Sequence, residues 1–331
     1  MMDTKNETPL VSVSMIAFHA GAFIARAIEG VLNQRVAFPV ELVIGDDCSR
    51  DNTRAICEAY AEKYPGKIRV LPQEPNLGIG ANTARTMGSC RGKYIAVCDG
   101  DDIWTDPDKL QRQVDFLEKN AGYGAVYTDV ETISDTDEPI PDKEQDLIRE
   151  MYAHGDVFIP LLQANFINNS TAIFRRDLIA NLAIQTDRSY QIPDHIRWLH
   201  IAAQAKIHFL NYKSTQYRKH AAGLSVAVPD HKILGNRRML RYSLLNSIPI
   251  FVKHNTKPLL RPERIVLFRR TFSVILRGPG PVKMRLSLLP LAVKFFPGVS
   301  GMIAIGLSKL GQLLPSFNKL MLISDLKELN A

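Results

Sequence analysis

Cysteine is scarce in this chain: among 331 residues there are four, Cys48, Cys57, Cys90 and Cys98, with no C-x-x-C pair. That density excludes a secreted disulfide scaffold and predicts free thiols in a reducing compartment. No basic segment followed by an apolar one opens the chain, since "MMDTKNETPL" is polar and runs straight into a strand-like stretch, so a cytoplasmic location is expected. Long apolar runs are missing too. In the C-terminal part the longest uncharged stretch, residues 295–308, contains Pro297 and three glycines and is too short for an ordinary membrane span. Internal repeats and low-complexity segments are absent, and 46% hydrophobic with 23% charged residues excludes a disordered chain. The length suffices for one large domain, or one domain with a substantial appendage.

Acid is the scarce charge at one end. Beyond residue 230 there are 17 Lys and Arg against Glu263, Asp325 and Glu328, a net +14, which leaves −7 for the first 230 residues of a chain whose total is +7. An acidic first part suits a metal-dependent site, whereas a basic end region suits an anionic surface or simply a solvated face.

What is present, over the first 120 residues, is the alternation of a parallel α/β sheet. "VSVSMIAF", "ELVIGDD", "IRVLPQ" and "KYIAVCDGDD" read as strands. "GAFIARAIEGVLNQ", "DNTRAICEAYAEKYPG", "GANTARTMGSCRG" and "TDPDKLQRQVDFLEKN" read as helices, the second capped by Asp51 or Thr53 and the last by Thr105 or Asp106. From about 125 to 230 the pattern loosens. "GAVYTDVETIS" and "KIHFLN" read as strands, "STAIFRRDLI" as a strand entering a helix, "DHIRWLHIAAQA" as a helix, and "DKEQDLIREMYA" as a surface helix or loop. The charge-rich "SDTDEPIPDKEQD" reads as a solvated excursion or a mobile flap.

Two acid clusters stand at predicted strand ends: Asp46 and Asp47, then Asp99, Asp101 and Asp102. Ligands of open α/β sheets bind at the carboxyl ends of strands, so both clusters are expected to face one crevice. Crowded carboxylates raise one another's pKa unless a cation sits among them. Two carboxylates one residue apart can hold an oxygen-loving divalent ion whose shell is completed by phosphate or water. Asp47 is free in this reading to accept from a base or ribose, and Phe18 at the end of the first strand to stack on the base. An isolated D-x-D, however, is ordinarily a solvated turn.

In order and spacing, "VSVSMIAFHAGAFIARAIEGVLNQ", "ELVIGDDCSRDNT", "NLGIGANTAR", "GKYIAVCDGDDIWTDPDKLQRQVDFLE" and "YRKHAAGLS" together resemble the bacterial family 2 glycosyltransferases over roughly residues 10–225. The resemblance implies a GT-A fold, Rossmann-like with a mostly parallel sheet between helices, a nucleotide-sugar donor, Mg²⁺ or Mn²⁺, and inversion at the anomeric carbon. It implies Asp47 as the base-binding acid, Asp99-Gly100-Asp101 as the metal-binding D-x-D with Asp102 competing for the direct ligand, and Arg85 as a basic residue near the donor. Where many members end the first strand in Pro-Thr/Ser-Tyr-Asn, this chain has Ile16, Ala17, Phe18 and His19, which keeps a stacking face but loses a hydroxyl.

An inverting transfer needs a base for the acceptor hydroxyl. The family places an acid just before a helix in its second half, and "QIPDHIRWLHIA" offers Asp194, although Pro-Asp is also ordinary helix-start chemistry; His195 is the weaker candidate. In "YRKHAAGLS", Arg218 is expected over the diphosphate and His220 as a further metal ligand or a packed residue.

The domain expectation is a catalytic domain over 1–230 and a basic, amphipathic helical region over 231–331. Within the latter, "RPERIVLFRRTFSVILRG" interleaves arginines with apolar residues, and residues 286–321 carry Lys294, Lys309 and Lys319 without an acid. Basic residues beside an anionic bilayer contribute about 1 kcal/mol each, so this region fits a membrane surface, or else a helical bundle packed on the catalytic domain or another subunit. Nucleic acid is not an expected partner, since no recognised motif or stacking platform accompanies the charge. The expected activity is therefore sugar transfer to a glycan or lipid-linked saccharide at the inner face of the membrane. Two alternatives stay open: a silent glycan-binding or assembly module, and a sugar nucleotidyltransferase, which ordinarily has a Gly-rich basic loop where this chain has "FHAGAFIARA".

Overall fold

The computed structural model describes residues 8–180, 182, 193–221 and 223, with scattered positions between 244 and 288. The chain divides into two compact units, Met1–Ser243 and Leu244–Ala331. In the second, helical turns include residues 247–254, where Ser247, Ile248 and Phe251 are buried. Residues 286–321, apart from Leu288, and most of 255–285 lie outside the described residues, and so do the basic and apolar patterns assigned to them. Among the described residues no helix is long and apolar enough to cross a membrane.

The first unit opens with β1 (Val11–Ala17), α1 (Ile24–Leu32), β2 (Val40–Asp46), α2 (Thr53–Lys63), β3 (Ile68–Val70), α3 (Ile79–Gly88) and β4 (Tyr94–Val97). These strands pair in parallel in the order β3-β2-β1-β4. The odd positions of β1, Val11, Val13 and Met15, are fully buried in one core with Ile24, Ala27 and Ile28 of α1, Cys57 of α2 and the apolar stripe Leu110, Val114 and Leu117 of α4 (Lys109–Lys119). Burial of each Val, Ile, Leu or Met side chain among these contributes roughly 1.5–3 kcal/mol, which is why the 3.6-residue apolar spacing specifies these helices. α3 packs on β1 and β2. Its approach requires Gly45, because a Cβ there would stand 2.0 Å from Thr86 Oγ1.

Beyond β4 the sheet stops being parallel. β7 (Ile173–Arg175) runs antiparallel to β4 and to β6 (Tyr123–Ile133), while β8 (Lys206–Arg218) runs parallel to β6 and antiparallel to β5 (Ile103–Trp104). The complete order is β3-β2-β1-β4-β7-β6-β8-β5. The helices α5 (Lys143–Glu150), α6 (Phe158–Gln163) and α7 (Pro193–Ala202) complete the unit.

Three local readings change. The strand expected to run through "CDGDD" ends at Val97; Cys98 to Asp102 form a turn, and Ile103 with Trp104 then pair at the far edge of the sheet. The strand expected over "KIHFLN" continues to Arg218, because "KSTQYR" finds a partner in β6 after a register shift. The helix caps also move. Asp51 Oδ1 accepts from the backbone N–H of Thr53, the first residue of α2, and Asp106 Oδ1 from that of Asp108, so each acid acts just outside its helix.

Candidate active site

Parallel strands deliver their carboxyl ends to one side, and the loops after β1, β2 and β4 meet there. Two non-glycine residues in these loops are left-handed, His19 after β1 (φ 53°) and Cys48 after β2 (φ 64°). Backbone of this kind persists only where its surroundings hold it. The His19 N–H donates to Ser49 Oγ (2.9 Å), and Asp46 accepts from both the N–H and the hydroxyl of Ser49. Asp46 is thus spent on closing the turn. Phe18, by contrast, stands 55% exposed at the end of β1 with its ring against His19 (centroids 4.2 Å apart), an unusual exposure for an aromatic.

Asp47 is buried, and its carboxylate accepts from the backbone N–H groups of Leu77 (2.7 Å) and Gly78 (2.9 Å) and from Asn76 Nδ2 (3.1 Å). It holds the loop that leads into α3. Arg85, on that helix, donates to the carbonyls of Pro72 (3.0 Å) and Asp46 (3.3 Å). Both residues assigned to the donor therefore tie the strand-end loops together.

The Asp99–Asp102 turn sits against β1. Its Gly100 N–H donates to Ile16 O (3.0 Å), and a Cβ at Gly100 would lie 3.0 Å from that same oxygen and 2.7 Å from Ile24 Cδ1. Asp99 Oδ2 accepts from Asn169 Nδ2 (2.9 Å), whereas Asp99 Oδ1 is buried and accepts nothing from the described residues. Burial and the neighbouring Asp101 charge push the Asp99 carboxyl up to about 7, against the pull of Asn169 and Arg197. Asp102, 2% exposed, is raised well above the carboxylate range by burial and by Asp101 and Asp99. Its Oδ1 takes the backbone N–H of Arg218 (3.0 Å), so Asp102 fastens the turn to β8. Asp101 is the open member, with its Oδ2 3.1 Å from His220 Nε2.

Arg218 does not lie open over the crevice. Its side chain is 1% exposed, under the Phe23 ring, and it donates to Asp101 O (2.9 Å), Ser134 O (2.8 Å) and Asp137 Oδ1. Arg26 grips the same Asp137 from α1. The excursion after β6 is pinned here rather than free, and within "DKEQDLIREMYA" the helix α5 is capped by Asp142, which accepts from the Gln145 N–H (3.2 Å). Pairing with two arginines holds the Asp137 carboxyl below its ordinary value in spite of burial.

Asp194 lies in the first turn of α7, close enough to Asp99 to raise its pKa, and accepts from Asn165 Nδ2 (2.9 Å). His195 turns instead to Leu161 O (2.8 Å). Sequence reasoning missed Asn165 and Asn169; the one available signal was the cluster of amides in "ANFINNS" between apolar runs.

The donor set is two carboxylates one residue apart, one with an oxygen that has no partner among the described residues, and an imidazole at its edge. It fits a hard divalent ion that draws the rest of its shell from phosphate. Among the described residues no three His, Cys, Asp or Glu side chains form a cage by themselves. Asp102, 2% exposed and with Oδ1 on the Arg218 N–H, anchors the turn to β8.

Glycosyl transferase family 2 matches residues 12–183, just over half of the chain. An uncharacterised protein of Mycobacterium tuberculosis is 32% identical over 227 residues, which take in 65% of this chain and 60% of that protein. Chondroitin synthase of Escherichia coli is 34% identical over 125 residues, 38% of this chain and 18% of the synthase. Among solved structures, S. aureus TarS 1–349 with UDP-GlcNAc superposes with a TM-score of 0.58 at 16% identity, covering 94% of this chain and 87% of that one. A mannosyltransferase of Pyrobaculum calidifontis with GDP-Man and Mn²⁺ gives 0.51 at 17% identity, with 95% and 84% covered. These likenesses bear out the GT-A fold.

Proposed function

This chain belongs to glycosyl transferase family 2, and from that premise we propose that it moves a sugar from a nucleotide-sugar donor to a glycan or lipid-linked saccharide, with inversion and with the help of Mg²⁺ or Mn²⁺. The observation that carries the reading is the meeting of Asp99, with a buried oxygen that has no partner among the described residues, and the open Asp101 at one strand end, beside Asp194 on α7. Asp99 and Asp101, with His220 at the edge, are the residues to hold the ion. When bound, such an ion supplies charge to stabilise a departing diphosphate.

The remaining work falls to side chains. Phe18 offers a face on which a base can stack, and the loop held by Asp47 and Arg85 forms the wall beside it. Arg218 fixes the turn that carries Asp101, rather than touching the diphosphate. Asp194 takes the proton of the acceptor hydroxyl as that oxygen attacks the anomeric carbon opposite the leaving group. The mannosyltransferase that shares the fold was crystallised with Mn²⁺, and chondroitin synthase is a relative by sequence, which supports a divalent ion and a saccharide acceptor. The basic region beyond 230 supports a place at the cytoplasmic side of an anionic membrane, alone or as an oligomer. The boundary near 230 between catalytic and basic regions is part of the same proposal.

The test is incubation of the full chain with UDP-, GDP- and dTDP-sugars, each with and without Mn²⁺, followed by measurement of released nucleotide. Metal-dependent release of a nucleoside diphosphate from one donor supports the proposal. Release of pyrophosphate would point to a nucleotidyltransferase, and neither release nor binding with any pair would point to a silent module.

A further inference from the structure

The segment 164–171, "ANFINNST", supplies none of the groups given a role in the proposed reaction, yet it touches two of the three carboxylates on which that reaction depends, Asp99 and Asp194. Asn165 donates from Nδ2 to Asp194 Oδ2, and Asn169, four residues on, from Nδ2 to Asp99 Oδ2, each at 2.9 Å. The orientation of the second amide is not free. Arg197 Nη2 donates to Asn169 Oδ1, and because an amide accepts only at oxygen, Nδ2 is obliged to face Asp99. Arg197 is fully buried, its guanidinium lying over the rings of Trp198 and Phe174 and reaching Met87 Sδ of α3. The backbone is fixed as well: the Asp99 N–H donates to Ser170 Oγ (3.0 Å), while Ser170 O accepts from Trp104 Nε1 (2.7 Å).

The two contacts close into a frame. Asp194 and Arg197 are three residues apart on α7 and so share a face. Asn165 ties Asp194 to the segment, and Arg197 ties Asn169, hence Asp99, to the same helix. Displacing α7 would move both acids together. A displacement that inverts the anomeric centre is sensitive to the distance between the base and the group that holds the leaving side, and an error near 1 Å costs about a hundredfold in rate. Asp99 is also left with one committed oxygen and one that has no partner among the described residues, which is the state a ligand requires.

We propose that Asn169, oriented by Arg197, is a positioning residue for Asp99 and Asn165 one for Asp194, so that segment 164–171 sets the separation of the two acids. The inference rests on the roles proposed above for those acids. Its test uses the full chain as wild type, Asn165→Leu, Asn169→Leu and Arg197→Lys, with MnCl₂ titrated in the presence of UDP and, separately, GDP. Mn²⁺ binding is read directly by electron paramagnetic resonance, turnover is measured on the donor that wild type accepts, and thermal unfolding reports folding. Asn169→Leu is expected to weaken Mn²⁺ binding at least tenfold, with Arg197→Lys in the same direction. Asn165→Leu should leave Mn²⁺ binding within twofold and lower kcat at least tenfold. Folded Asn169→Leu with wild-type Mn²⁺ affinity would overturn the proposal, as would equal loss of both quantities in the two asparagine variants. Wild type that binds no Mn²⁺ with either nucleotide would overturn the underlying reading and this inference with it.

Discussion

His220 Nε2 stands 3.1 Å from Asp101 Oδ2, bridging the turn after β4 and the end of β8 across 119 positions of sequence. Phe23 packs against the same imidazole, ring centroids 5.0 Å apart, so the pair is walled on one side. Asp101→Asn is expected to abolish Mn²⁺-dependent turnover at any practical metal concentration. His220→Ala should lower it at limiting Mn²⁺ and recover much of it when Mn²⁺ is raised. Initial rates across a metal titration check both, and unchanged rates in Asp101→Asn would remove the metal assignment.

Phe18 is the exposed aromatic of the crevice, and its removal costs no core. Stacking of a base on an aromatic is worth about 1–3 kcal/mol. Phe18→Ala should therefore weaken donor affinity roughly tenfold while leaving thermal unfolding unchanged, and Phe18→Tyr should bind like wild type. Calorimetric titration with the accepted donor separates these outcomes.

Arg218 reaches three acceptors on two loops from a buried position, and removing one member of a buried ion pair costs about 3 kcal/mol, the low end of the range here because Asp137 is half-buried and keeps Arg26. Arg218→Met should lower the free energy of unfolding by that amount, seen as a lower denaturant midpoint at unchanged slope, and loosen the 134–142 excursion towards protease. Arg218→Lys should not rescue it, because an ammonium cannot serve three divergent acceptors as a planar fork does. Limited proteolysis beside a urea titration provides the check.

Gly100→Ala is expected to cost about 1–3 kcal/mol, since the new methyl meets Ile16 O and Ile24 Cδ1, and to reduce turnover more than its stability loss explains. The turn would have to shift, carrying Asp99 and Asp101 with it. Unfolding and kcat measured on the same preparation separate the two effects.

At the amino ends of the strands, Glu41 is 3% exposed and accepts from Ser12 (2.6 Å), Arg91 (2.8 Å) and Arg69 (3.2 Å). Burial pushes its pKa up, but these donors outweigh burial and hold it below the ordinary value of 4.5. A depressed folded pKa makes this contribution complete above about pH 4.5, and acidification through the lower folded value removes it. Glu41→Gln should lose about 2 kcal/mol at pH 7, below the usual range for a buried pair because Arg91 is largely exposed, and should flatten the acid limb of stability. Unfolding midpoints from pH 3 to 7 test the sign.

Much of this molecule is legible in one dimension. The apolar spacing of α1 and α4 and the runs "VSVSMIA" and "VELVIGD" specify buried helix faces and central strands, because burial of a repeating face is a local property of the chain. The same holds for the D-x-D at a strand end: an apolar run that stops at three carboxylates can be read without coordinates. What only the tertiary structure decided is how each acid is spent. Asp46, Asp47 and Asp102 fasten loops, Asp101 stays open, and Asp99 keeps one oxygen bare among the described residues, a division set by which N–H groups distant segments bring near. Arg218 likewise became a buried clamp on Asp137 and the Asp101 carbonyl, and Asn165 and Asn169 a frame around two acids, through contacts 28–117 positions apart. Hydrogen bonds of that span leave no periodicity in the sequence, since their partners are chosen by the packing of whole elements rather than by neighbours along the chain.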